Sequence, residues 1–94
     1  MFEKKKKIEL DGEELKIMRY SLNEFRNNLL EQNKYTDAID EVMIKLKDKM
    51  KVDKYEMGVM INSLDKTLKD SQENSNTSNI RKLLLKLFEV YQNF

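Results

Sequence analysis

Ninety-four residues, 39% apolar and 37% charged, are enough for one small folded domain and describe neither a membrane protein nor a disordered chain. Without Cys or His there is no disulfide framework, no thiol nucleophile and no usual zinc or iron ligand, and without Pro and with two Gly there is no glycine-rich phosphate loop. A formal charge of +1, from 18 basic and 17 acidic groups, creates no long-range field that would draw in nucleic acid or an anionic membrane.

Lysines at positions 4–7 resemble the positive start of a secretion signal. Ile8-Glu9-Leu10-Asp11-Gly12-Glu13-Glu14 then follows where such a signal needs an apolar stretch, so a cytoplasmic location is expected. No window approaches the roughly 18 consecutive apolar residues of a membrane span. Abundant Lys, Asn and Ile fit an AT-rich genome, that of a low-GC bacterium or one of its phages.

From Asp11 onward the apolar pattern has helical period. Leu15, Met18, Leu22, Phe25 and Leu29 form one stripe, and Ile39, Val42, Met43, Leu46 and Met50 a second. Met57, Met60, Ile61, Leu64 and Leu68 form a third, and Ile80, Leu83, Leu84, Leu87 and Tyr91 a fourth. Polar breaks at 31–36, 51–53 and 70–78 separate four expected helices, the last break holding Asn76-Thr77-Ser78 in a loop. Asp11 with Glu14, and Asp53 with Glu56, have capping-box spacing, and Leu10 with Leu15 and Val52 with Met57 supply the matching hydrophobic staples. The methionines of these stripes are expected to fill gaps in the core.

The two halves also align. A shift of 42 places Asp11, Glu14, Met18, Ser21 and Leu22 on identical Asp53, Glu56, Met60, Ser63 and Leu64, and a shift of 41 places Ile39, Lys45 and Leu46 on Ile80, Lys86 and Leu87. The expectation is an all-α single domain over 1–94. It is an antiparallel four-helix bundle built from two duplicated helical hairpins, residues 8–50 and 51–94, running up-down-up-down.

The last helix departs from its counterpart. Leu85, Phe88 and Val90 lie outside its core stripe and Phe94 beyond it, where the first copy has Ile44, Lys47 and Lys49. A helix apolar on most sides must be covered. Leu85, Phe88, Val90 and Phe94 are therefore the candidate interface, covered by the amino-terminal arm 2–8, a second copy of the chain in a homodimer, or a foreign protein. At the pole shared by the arm, the second helix end and the third helix start, nine lysines meet nine acids, so nucleic-acid binding is not favoured. Asp37, Asp40 and Glu41 sit at a helix start, where the dipole explains carboxylates without catalysis. No catalytic, cofactor-binding or metal-binding residue is nominated.

The stretch Ile8-Glu9-Leu10-Asp11-Gly12-Glu13-Glu14-Leu15, with Tyr20-Ser21-Leu22-Asn23-Glu24-Phe25-Arg26-Asn27 and Tyr35-Thr36-Asp37-Ala38-Ile39-Asp40-Glu41, resembles small uncharacterised helical-hairpin proteins of phages and mobile elements of low-GC Gram-positive bacteria. It covers mainly the first half. The resemblance implies a non-catalytic accessory protein acting by contact with a host or phage protein. The alternatives are a nucleic-acid-binding accessory protein and, by size, helix count and charge, a bundle like the bacteriocin immunity proteins.

Overall fold

The computed structural model describes residues 4–71 and 75–94, with side chains throughout except at 75 and 76. Among the described residues the order is β1 (Lys6–Glu9), α1 (Gly12–Glu31), α2 (Asp37–Lys45), β2 (Lys49–Val52), α3 (Lys54–Asp70) and α4 (Ser75–Gln92). The four helices match the four stripes. The two short strands were not anticipated.

Both capping boxes form. Asp11 Oδ1 accepts the Glu14 amide at 2.8 Å while Glu14 Oε1 accepts the Asp11 amide at 3.0 Å, and Asp53 with Glu56 repeats the exchange at 2.7 and 3.0 Å. Each box satisfies two amides at a helix entry. Helix α1 ends in a Schellman turn: Asn33 takes φ 56°, its amide reaches Leu30 O at 3.1 Å, and the Lys34 amide reaches Leu29 O at 2.8 Å. After glycine, Asn is the residue that best tolerates this left-handed position.

Beyond Lys45 the expected second helix stops and the chain becomes strand. In a helix, Lys45 with Lys49 and Lys47 with Lys51 would stand at the repulsive i,i+4 spacing. As a strand, Lys49-Met50-Lys51-Val52 alternates exposed and buried residues, so Met50 and Val52 enter the core and the lysines face out. Met50 is thus a core residue, as its place in the second stripe implied, but it arrives from β2. The strands are antiparallel, with Lys6 opposite Val52, Lys7 opposite Lys51, Ile8 opposite Met50 and Glu9 opposite Lys49. The ladder extends to the Leu10 amide, which donates to Asp48 O at 2.7 Å.

The helices do not form the expected up-down-up-down ring, in which α1 and α3 would be diagonal. Instead α1 packs most extensively on α3, and α2 and α4 flank this central pair. Met18, Leu22, Met57, Met60 and Leu64 are fully buried there, and Ile8, Leu10, Met50 and Val52 close the core from the ribbon. Ser21 and Ser63, both fully buried, are the small side chains of α1 and α3 in this core. Helix α4 starts at Ser75, so Asn76-Thr77-Ser78 belongs to its first turns and the expected loop is shorter than 70–78. Phe2 and Glu3 lie outside the described residues. Among those described, no helix is long and apolar enough to cross a membrane.

Candidate functional site

The four nominated residues of α4 separate into two pairs. Leu85 is 65% exposed and Phe88 44% exposed, whereas Val90 and Phe94 are half-buried against the core. Helical spacing explains the division: Phe88 follows Leu85 by three residues, while Val90 is two residues on and points to another side. Phe94 also carries the Lys6 ammonium 5.6 Å from its ring centre, which ties the chain end to β1. The described part of the arm therefore engages Phe94 and leaves Phe88 exposed.

Phe88 stacks on Tyr91, with ring centres 6.3 Å apart. Tyr91 in turn forms one wall of a groove of about 670 Å³, lined by Phe25 and Leu29 of α1, Tyr35 and Ala38 near the start of α2, and Tyr55, Gly58 and Val59 of α3. Tyr35 and Tyr55 are 93% and 70% exposed. Lys54 places its ammonium 5.4 Å from the Tyr91 ring centre at the groove edge. Leu85, Phe88, Tyr91 and Tyr55 thus make a continuous apolar and aromatic surface from the outside of α4 into the groove. Gly58 keeps its floor open, because it places no side chain in front of Tyr91.

A second groove, of about 380 Å³, lies between α1, α3 and α4. Its residues Glu13, Lys16, Ile17, Tyr20, Thr67, Ser71 and Ile80 correspond, by displacements of 42 or 41 positions, to Tyr55, Gly58, Val59, Asn62, Phe25, Leu29 and Ile39 of the first. Every residue of the smaller groove has its counterpart lining the larger. The chemistry differs at four of these positions, where Glu13, Lys16, Thr67 and Ser71 of the smaller groove correspond to Tyr55, Gly58, Phe25 and Leu29 of the larger; at a fifth the order reverses, Tyr20 corresponding to Asn62.

Between α1 and α2, Arg26 Nε donates to Asp40 Oδ1 at 2.6 Å and Thr36 Oγ1 donates to Oδ2 at 2.8 Å, clamping the start of α2 to α1. The Arg26 hydrogen bond, with that from Thr36, holds the Asp40 carboxyl below its ordinary range, and the Arg26 charge acts in the same direction. Asp40 is thus committed to a structural clamp. Tyr35, Tyr55 and Gly58 were not singled out by sequence. Tyr35 lies in a loop, Tyr55 in the first turn of α3, and Gly58 within α3 has no side chain, so apolar period carries no information about which neighbours meet there. Comparisons with protein-family models, curated proteins and solved structures return no match.

Proposed function

We propose that this chain is a non-catalytic protein-binding module built from two copies of one strand-helix-helix unit, in which the aromatic groove and the adjoining face of α4 take an apolar helical segment of a protein partner. The observation that carries the reading is the contrast between the two corresponding grooves. One sets Glu13, Lys16, Thr67 and Ser71 beside Ile17, Tyr20 and Ile80, and the other presents Phe25, Tyr35, Tyr55 and Tyr91 around an open floor, continued outward by Phe88 and Leu85. Aromatic anchors of this kind dominate protein interfaces because they bury large area at low conformational cost. A helix laid in a groove is a recurrent way of filling such a site.

Support for the two-copy origin comes from matching capping boxes, corresponding groove residues and the strand preceding each long helix, which moves the start of the second unit from 51 to 49. The cytoplasmic setting and the phage or mobile-element context rest on the sequence alone. The partner is accordingly a host or phage protein, with a second copy of this chain as the homodimeric variant of the same reading.

The test is capture of binding proteins by the tagged chain from the source cells, alongside sedimentation of the purified protein. Phe88→Glu and Tyr55→Glu place charges on exposed positions, so both variants should keep the parent melting temperature. The reading requires that both lose the captured protein. If the parent is a dimer that either variant dissociates, the segment in the groove belongs to a second copy. Undiminished capture and unchanged association state in both variants would overturn the assignment.

A further inference from the structure

We infer a second binding surface, separate from the aromatic groove: the lysine-bearing outer face of the β1–β2 ribbon, which docks on duplex DNA. The register sets Lys7 directly opposite Lys51 and Glu9 opposite Lys49 on the exposed face, with Ile8 and Met50 turned into the core. Like charges directly opposed across a ribbon are destabilising. Beside the ribbon a hollow of about 500 Å³ is lined by Lys7, Lys45, Lys47, Lys49 and Lys51, together with Ile44, Leu46 and Met50, and by no carboxylate.

The equal count of acids and lysines at this pole conceals how they are arranged. Asp11, Glu14, Asp53 and Glu56 are turned onto helix-start amides, Asp48 accepts the Lys49 amide, and Glu56 also engages Lys45. Among the described residues, Lys7, Lys47, Lys49 and Lys51 form no ion pair. The pole is therefore nearly neutral in sum and cationic on one face, which is the distribution that phosphate binding uses.

The choice of duplex DNA follows from shape. The major groove of B-form DNA, about 12 Å wide, admits a two-stranded antiparallel ribbon, whereas the A-form RNA major groove is too narrow. In this pose Lys7, Lys49 and Lys51 reach phosphates while Glu9 is the acceptor beside base edges.

The experiment measures anisotropy of a labelled random DNA duplex of about 20 base pairs, one to two helical turns. Binding should weaken by about 40-fold between 50 and 200 mM salt, as three phosphate contacts imply. Lys7→Gln, Lys49→Gln and Lys51→Gln combined should lower the logarithmic salt slope by about 2.7, at about 0.9 per contact. That variant should melt no lower than the parent, since it removes an opposed lysine pair. Neutralising Lys34, Lys69 and Lys82 instead, an equal loss of charge elsewhere, should leave the slope almost unchanged. No saturable binding at 50 mM salt would overturn the assignment, as would an equal loss in the control variant. So would tighter binding of duplex RNA, or displacement by polyglutamate as effective as by unlabelled duplex.

Discussion

Lys45 of α2 and Glu56 of α3 form an ion pair at 2.8 Å that joins the two halves of the chain, and Lys86 of α4 and Glu14 of α1 join them a second time at 2.9 Å. The two pairs are reciprocal. Glu14 and Glu56 correspond by a shift of 42, Lys45 and Lys86 by a shift of 41, and each lysine crosses to the other half, as in a two-fold interface. Ile8 and Met50, also 42 apart, stand opposite each other in the ribbon, where such an axis would pass. Each glutamate serves a cap and a bridge at once, accepting an amide of its own helix start and an ammonium from across the core.

Loss of either glutamate should therefore cost more than a surface charge. Glu56→Ala and Glu14→Ala are expected to destabilise by about 1–2 kcal/mol, the cap and a partly screened bridge together. A denaturant double-mutant cycle between Lys45 and Glu56 should return a coupling of about 0.5–1 kcal/mol, and independent behaviour in that cycle would refute the link.

Ser21 and Ser63 occupy corresponding buried positions but are satisfied differently. The Ser63 hydroxyl donates to Val59 O at 2.8 Å, whereas the Ser21 hydroxyl is buried without a partner among the described residues. An unsatisfied buried hydroxyl opposes folding. Ser21→Ala should be neutral or stabilising by up to about 1 kcal/mol, and Ser63→Ala should be the more costly of the two, as read from urea midpoints.

The Asp40 clamp predicts an acid limb. Because its folded pKa lies below the unfolded value of about 4, the clamp contributes stability above that value and loses it as pH falls through the folded pKa. Arg26→Gln removes the main cause of the depression. Thermal melts from pH 6 to pH 2 should show parent and variant converging at the acid end, and parallel curves across that range would contradict the clamp.

Core truncation should act alike in both halves. Leu22 and Leu64 are each fully buried in the central helix pair, so each change to Ala should cost about 2–5 kcal/mol. For a domain of this size that approaches the total stability, and both variants are expected to be largely unfolded near 37 °C by circular dichroism.

Gly58 offers a gain. It lies inside α3 with φ in the ordinary helical range, and a methyl group there would meet the Tyr91 ring at 4.0 Å, an ordinary contact. Gly58→Ala should raise stability by about 0.5–1 kcal/mol by removing backbone freedom from the unfolded chain. Gly58→Lys, the residue at corresponding position 16, should fill the groove and reduce partner capture while preserving the fold.

Much of this molecule was settled locally, and local features are what a sequence displays. Capping boxes join residues three apart, and the stripes that bury Met18, Leu22, Met60 and Leu64 repeat within one or two helical turns, so four helices and their main core positions could be read directly. The ribbon was hidden because Met50 fits helical and strand periods equally. Only pairing with Ile8, some forty residues away, together with the crowding of lysines that a helix would impose, decides for strand. The choice of α3 rather than α2 as the main partner of α1 also depended on tertiary packing, since short connections constrain neighbours without selecting which faces meet. At the surface, Leu85 and Phe88 were legible as apolar residues off the core stripe, but the groove that continues them needs Phe25, Tyr35, Tyr55 and Tyr91 from four parts of the chain. Charge followed the same rule. Composition fixed the balance of acids and lysines, and the tertiary structure redistributed them by turning Asp11, Glu14, Asp53 and Glu56 onto helix-start amides and leaving Lys7, Lys49 and Lys51, with Glu9, on one side of a ribbon.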